Sequence, residues 1–358
     1  MNKLNIIIGI FKSKFLKKPF YVHFYVTRNC NLKCKMCNVW KNKDKKFLSI
    51  NEIKIIAKKI KKIGTSHVVI TGGEPLLRKD LSEIISIFSK LKISTRLQTN
   101  GLLLTKEKIN QLIKSGIEDI TISLDTLDNK KQDYICGIKN GNISNNVLEN
   151  LIYISKKMPK SMIAANIVVS HKNINELPLL IKFLDSKNIW STFVPVNLAD
   201  SKEDYLFKAK ADEFKFDKKD KKNSFKIYKE ILKLKKQGYK ILVSSKFLKQ
   251  SSKFIKYGNK KWKCDAGEFY FSIFPDGSFS PCDEIPTNLN ILDKDFLEKY
   301  KDKKFKKYLH NLQTNCEGCF YGCWKETSNL INSPLVIWDR FLTILRVKRK
   351  ELLHPTNL

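Results

Sequence analysis

A chain of 358 residues, 42% hydrophobic and 29% charged, can bury a sizeable core in two domains and is too apolar for intrinsic disorder. Its net charge of +33 admits polyanionic partners, yet lysine is spread over nearly every expected helix, which favours a biased composition over a specific nucleic-acid interface. Nine cysteines, eight of them in motif-like groups, argue against a secreted disulfide framework and for metal binding in a reducing compartment.

Residues 1–18 read as a basic amphipathic segment, with the apolar patch Ile6-Ile-Ile-Gly-Ile-Phe11 flanked by lysine. It shows no small-residue cleavage site, and no run approaches the ~20 apolar residues of a spanning helix, so a cytoplasmic location is expected. From Phe20 to about Val196, strand and helix patterns alternate. Strands are expected at Tyr21–Val26, His67–Ile70, Ser94–Gln98, Asp119–Ser123, Met162–Val169 and Thr192–Val196. Helical periodicity is expected at Asn51–Ile63, Leu81–Leu91, Lys106–Lys114, Val147–Lys157 and Ile174–Lys187. Ser49, with Glu52 three residues on, predicts a capping box at the first helix. Such alternation implies an α/β fold with a parallel sheet, and six units imply a partial barrel with reactive groups at the carboxyl ends of its strands. Residues 201–258 are lysine-rich and mostly helical around Asn223–Gln237, and read as a bridge between domains.

The first strand runs into Arg28-Asn-Cys-Asn-Leu-Lys-Cys-Lys-Met-Cys-Asn38. The thiols of Cys30, Cys34 and Cys37 can wrap one metal centre but cannot complete a four-ligand shell. Structural zinc sites and ordinary iron–sulfur carriers are normally closed by four protein ligands. A Cys-x3-Cys-x2-Cys loop with no fourth Cys or His nearby therefore suggests an iron–sulfur cluster with one iron open to a substrate or cofactor. Thr71-Gly-Gly-Glu-Pro-Leu-Leu-Arg78, Gln98-Thr-Asn-Gly101 and Ile120-Thr-Ile-Ser-Leu-Asp125 close the next three strands.

Further on, Cys264 and Cys282 bracket an alternating segment with Pro-Asp-Gly at its centre, the pattern of a β-hairpin turning at Gly277. A hairpin that joins two distant cysteines is a metal half-site, and Cys316-Glu-Gly-Cys319-Phe-Tyr-Gly-Cys323 supplies the other half. Taken alone, these residues suit zinc at least as well as iron.

The loop and the three strand-end motifs, in that order, resemble the radical S-adenosylmethionine (SAM) superfamily over roughly residues 19–197. Residues 259 to about 326 resemble that superfamily's C-terminal SPASM or twitch extension. The resemblance implies a partial (β/α)6 TIM-like barrel, residues 19–200, with a small β-hairpin and helical iron–sulfur domain at 259–330. It implies a 4Fe-4S cluster on Cys30, Cys34 and Cys37, whose open iron is chelated by SAM. The enzyme would then be an oxidoreductase or transferase that cleaves SAM reductively to a 5′-deoxyadenosyl radical, which takes hydrogen from an unidentified substrate.

By the same resemblance, Gly72 and Gly73 allow close backbone approach to a ligand, Glu74 accepts from the SAM ammonium, and Pro75 fixes the turn. Asn100, Ser123, Asp125 and Asn166 would lie by the SAM ribose or carboxylate. Met36, where relatives usually have an aromatic residue, would pack on adenine. The resemblance turns the second cysteine group from zinc to one auxiliary 4Fe-4S cluster on Cys264, Cys282, Cys316 and Cys319, with Cys323 alternate or spare. The full SPASM pattern has seven cysteines and this chain offers five. Cys136 is given no role.

An electron donor such as a ferredoxin or flavodoxin is implied as partner, and no specific nucleic acid is expected. The helix predicted from Ser333, within 331–358, is densely apolar with basic residues toward its end. Either it packs on the barrel or, with the N-terminal segment, it rests on the inner membrane surface; the second arrangement would favour a lipid or isoprenoid substrate. A peptide or small metabolite is otherwise expected, although the twenty or so residues before the first strand leave no peptide-recognition domain. The end His-Pro-Thr-Asn-Leu lacks the double-glycine tail of the molybdenum-cofactor enzymes. A competing reading is a basic zinc protein associated with nucleic acid. It explains the charge and a four-cysteine site but not the pairing of the first loop with Gly-Gly-Glu-Pro.

Overall fold

The computed structural model describes Lys14 and residues 18–44, 46–199, 207–258, 261–316 and 318–353. The segment expected at 1–18 thus lies almost wholly outside the described residues. Six parallel strands stand side by side in chain order: β1 (Tyr21–Thr27), β2 (His67–Gly72), β3 (Ser94–Thr99), β4 (Asp119–Ser123), β5 (Ile163–Val169) and β6 (Trp190–Pro195). Between them run α1 (Ile50–Ile63), α2 (Leu81–Lys90), α3 (Lys106–Lys114), α4 (Asn129–Cys136) and α5 (Ile143–Lys157), and α6 (Leu177–Ser186) leads into β6. The architecture is the expected α/β partial barrel.

Period-two alternation decides which way each side chain points. Val22, Phe24 and Val26 of β1 are buried in the core beneath the helices, while Tyr21, His23 and Tyr25 line the lumen. In β2, Val68 and Ile70 join that core and His67, Val69 and Thr71 face the lumen. The predicted capping box is present: Glu52 N–H donates to Ser49 Oγ at 3.3 Å, and Ser49 N–H donates to Glu52 Oε2 at 2.8 Å.

Several elements differ from expectation: α5 begins at Ile143 rather than Val147, the helix expected from Asn223 begins at Lys218, and three others differ more in kind or pairing. Helix α4 was absent from it, although Asp128 caps the helix by accepting from Lys131 N–H at 3.1 Å. Its segment is polar, so no apolar stripe announces it. The stretch Ile174–Lys187 divides into a 3₁₀ turn, Ile174–Glu176, and α6, with Pro178 in the first turn of α6. Strand β6 begins two residues earlier than the apolar run suggests, because Trp190 pairs in register with Ala164.

The carboxyl-terminal hairpin extends the barrel's own sheet. Its first strand, β7 (Tyr270–Ile273), pairs in parallel with β1, Tyr270 opposite Tyr21, and covers an edge that would otherwise expose unpaired backbone. Strand β8 (Phe279–Ser280) follows antiparallel. On the far side α7 (Lys218–Lys236) and α8 (Ser245–Tyr257), within the segment expected as a bridge, pack on each other, and α8 packs on β6. Helices α9 (Phe296–Lys301), α10 (Lys303–Asn315), α11 (Gly322–Asn332) and α12 (Pro334–Leu353) complete the chain. Helix α11 closes over the lumen: its buried Trp324 stacks on Tyr270 at 4.6 Å and lies 4.3 Å from His23 between ring centres.

Candidate active site

The first cysteine loop is held from three directions. Asp44 grips its approach, its carboxylate accepting from Arg28 N–H at 2.5 Å and from Thr27 Oγ1 at 2.7 Å. The end of α4 grips its middle, where Ile135 and Cys136 carbonyls accept from Lys35 and Lys33 N–H at 3.0 and 3.3 Å. Gly137 must lack a side chain here: its φ is +70°, and a Cβ would sit 2.3 Å from the Lys33 oxygen. The Gly-Gly turn after β2 holds the third side. Gly73 N–H donates to Thr27 O at 2.7 Å and Glu74 N–H donates to Asn29 O at 2.8 Å. Neither Asp44 nor α4 was singled out from the sequence. Asp44 lies in a lysine-rich connection that reads as ordinary solvated loop.

So held, Cys30, Cys34 and Cys37 are free, partly exposed thiols. Leu32 and Val39 N–H groups donate to the Cys30 and Cys37 sulfurs, each at 3.4 Å. Burial pushes the Cys37 thiol up to about 11, and both other sulfurs help raise Cys34, on which contact with Cys136 acts most strongly. Three crowded sulfurs with backbone donors aimed at them, and no disulfide among the described residues, form a donor set that suits a soft iron–sulfur core with one iron left open.

The expected SAM contacts divide. Glu74 is fully buried and already engaged: Oε1 accepts from Thr99 Oγ1 at 2.7 Å and Leu76 N–H at 2.9 Å, and Oε2 accepts from Asn100 N–H at 2.8 Å. It braces the ends of β2 and β3 and starts the turn at Pro75. Asp125 is likewise buried, accepting from Val168 N–H at 2.7 Å, and burial lifts its carboxyl to about 7. Met36 packs in an apolar cluster with Ile135, Val196 and Phe214 rather than lying open to a ring. In this structure these three side chains are engaged with protein neighbours. Asn100 reaches the loop, donating to Asn31 Oδ1 at 2.8 Å. Ser123 pairs in register with Asn166, and Asn166 lines the lumen.

Of the second cysteine group, Cys264 and Cys282 flank the hairpin, Cys316 caps α10 and Cys319 follows in the next loop. Their thiols act on one another electrostatically: Cys264 on Cys282 and Cys319, and Cys316 on Cys264 and Cys319. Burial pushes Cys319 up to about 12. Trp262 Nε1 donates to the Cys319 carbonyl at 2.8 Å and fixes that loop. Cys323, in the first turn of α11, lies with His23 and Asp283 in the lumen. Cys319 also acts on Cys323 electrostatically, so Cys323 borders the other four thiols as well as the lumen.

The lumen is a cavity of about 400 Å³, with Cys37 of the first loop and Cys323 both in its wall. Its lining mixes polar and ring-bearing side chains, among them Tyr25, Arg96, Gln98, Thr192 and Tyr321, with a larger apolar share that includes Val69, Phe193 and Val194. A cavity of about 490 Å³ also opens near the amino ends of β4 and β6, against α12, and no cysteine lines it.

Residues 24–184 match the sequence profile of the Radical SAM superfamily. The chain carries a radical SAM domain. Members of that family use a 4Fe-4S cluster and SAM and need an electron donor and a substrate. The protein named GTP 3′,8-cyclase from Vibrio parahaemolyticus is 30% identical over 207 residues, covering 55% of this chain and 60% of the relative. Another of that name, from Campylobacter jejuni, is 33% identical over 191 residues, covering 51% of this chain and 57% of the relative. The chain thus spans under two thirds of the curated relatives it matches. Among solved structures, Streptococcus suis SuiB bound to S-adenosylmethionine superposes with a TM-score of 0.65 at 20% identity, covering 93% of this chain and 79% of SuiB. The enzyme anSMEcpe with bound AdoMet gives 0.57 at 17%, covering 94% and 98%. At such identities they share the fold.

Proposed function

We propose that this radical SAM enzyme cleaves SAM reductively and takes hydrogen from a small polar metabolite held in the barrel lumen. The supporting observation is that the lumen has Cys37 of the first cysteine loop in its wall, together with the donors of Arg96 and Gln98. When bound, the cluster on Cys30, Cys34 and Cys37 together with SAM supplies a 5′-deoxyadenosyl radical. The chain's own residues do the rest. Asp44, α4 and the Gly-Gly turn fix the loop, while Trp324 and α11 shield the lumen from water. Arg96 and Gln98 offer donors to the substrate. The Arg96 and Gln98 donors can meet hydrogen-bonding groups of a metabolite, and the relatives' name makes GTP the first to try. The group of Cys264, Cys282, Cys316 and Cys319 would hold the auxiliary cluster.

Anaerobically reconstituted protein should be brown, hold about eight irons per chain, and release 5′-deoxyadenosine from SAM under dithionite. Chromatography of the products checks this. GTP should raise that release if a nucleotide is the substrate. Colourless zinc-loaded protein without 5′-deoxyadenosine would return the assignment to the zinc reading.

A second reading concerns where the enzyme sits. Among the described residues no helix is long and apolar enough to cross a membrane. Helix α12 nevertheless has two apolar faces. Val336, Thr343 and Val347 are buried on one, while Leu335, Trp338, Phe341, Leu345 and Leu352 are exposed on the opposite one. Arg346, Lys348, Arg349 and Lys350 accompany them, the composition of a helix lying on anionic lipid. Vesicles containing phosphatidylserine should co-sediment the protein at low salt, and Trp338→Glu with Leu345→Glu should reduce the bound fraction at least tenfold. Equal sedimentation of the variant would remove this reading.

A further inference from the structure

His23, Asp283 and Cys323 come from three distant parts of the chain and meet in the lumen wall. His23 projects inward from β1, Asp283 follows Cys282 beyond β8, and Cys323 lies in the first turn of α11. One ligand atom from each lies within 4.8 Å of the other two. We propose that these three side chains bind a divalent metal of the zinc class, separate from both cysteine clusters, with its fourth position open to the lumen.

Geometry carries the argument. His23 Nδ1 is buried and has no hydrogen-bond partner. It faces Asp283 Oδ1 at 3.5 Å, which is long for a hydrogen bond. For ligands about 2.0–2.2 Å from a tetrahedral zinc, the edge between nitrogen and oxygen is about 3.4 Å, so this separation suits two atoms sharing one ion. The other ring nitrogen, Nε2, lies 3.0 Å from Tyr21 Oη, so a metal on Nδ1 leaves the Nε2 proton an acceptor. Ligating histidines usually hand their second N–H to such a partner, which fixes the ring.

Charge gives the second argument. Asp283 is 6% exposed, and among the described residues no lysine or arginine forms an ion pair with it. Ser272 Oγ donates to its Oδ1 at 2.5 Å, and the Tyr25 hydroxyl also interacts with it. A buried carboxylate is ordinarily paired with a cation or bound to a metal. Imidazole nitrogen, thiolate sulfur and carboxylate oxygen form a mixed set that suits zinc better than calcium or magnesium, which take oxygen ligands. Three protein ligands with one face toward a cavity is the arrangement of a zinc that binds a substrate oxygen rather than one that only stabilises the fold. In this enzyme such an ion would anchor a phosphate, carboxylate or hydroxyl of the metabolite, and to that extent the inference rests on the substrate reading above.

The test uses the full chain with its clusters reconstituted, exposed anaerobically to one equivalent of zinc chloride and desalted. Zinc, iron and 5′-deoxyadenosine are measured on the same samples. Wild type should retain about one zinc per chain, with an X-ray absorption signature of one sulfur at about 2.3 Å and the remaining neighbours nitrogen or oxygen. Cys323→Ser, His23→Gln and Asp283→Asn should each weaken zinc retention at least tenfold with iron at the wild-type level. The inference fails if wild type retains no zinc, if zinc sits among four sulfurs, or if the variants still retain it. It also fails if Cys323→Ser loses about half the iron, since Cys323 would then ligate a cluster. Where one variant does not fold, the other two decide. Missing zinc with iron and 5′-deoxyadenosine intact overturns this inference alone, whereas missing iron and 5′-deoxyadenosine overturn the proposed function.

Discussion

Cys34→Ala is expected to abolish 5′-deoxyadenosine release, by at least about a thousandfold, while the protein keeps about four of its eight irons. The reason lies in how the two sulfur groups are built. Cys34 sits on the loop held by Asp44, α4 and the Gly-Gly turn, and none of these touches the hairpin cysteines through a described hydrogen bond. Removing one of three ligands leaves two thiols, too few to retain a cluster whose fourth iron is already without a protein ligand. Cys282→Ala is expected to do the reverse to the auxiliary group: iron again falls by about half, but SAM cleavage under dithionite persists. Iron analysis and product chromatography on both variants decide the matter. Loss of all iron in either single variant would show one coupled site instead of two.

Much of the barrel is legible in the sequence because its signals are local. Ser49 and Glu52 announce their capping box, and each motif falls where an apolar run stops. The lumen is harder to read. His23, Tyr21 and Tyr25 share a face only through the period of two along β1, and Asp283 and Cys323 join them through contacts that no spacing encodes. The pairing of β7 with β1 is hidden for the same reason, since it joins residues about 250 positions apart. Glu74 and Asp125 expose a different limit. A motif identifies a residue as necessary without saying whether it touches the ligand or braces the strand beside it, and here both carboxylates are engaged with neighbouring backbone. The cysteine ligand set lies between these cases: sequence narrows it to five thiols, and only the fold shows that Cys323 also faces the lumen beside His23 and Asp283.

Gly73→Ala tests that distinction at the turn after β2. A Cβ on Gly73 would lie 2.3 Å from the Asn29 oxygen and 2.4 Å from the Arg28 oxygen, both of them backbone atoms leading into the first cysteine loop. Backbone cannot rotate aside as a side-chain tip can, so either β2 or the loop must shift. Overpacking of this kind ordinarily costs about 1–3 kcal/mol. The shift also acts on the hydrogen bonds from Gly73 and Glu74 N–H to Thr27 and Asn29 that fix the loop. The expected result is a lower melting temperature together with loss of about half the iron, the auxiliary share remaining. If the glycine instead served only to let SAM approach, the variant would keep all its iron and its stability and lose SAM affinity alone. Melting curves, iron content and equilibrium binding of SAM, measured on one preparation, separate a turn that supports the cluster loop from one that meets the cofactor directly.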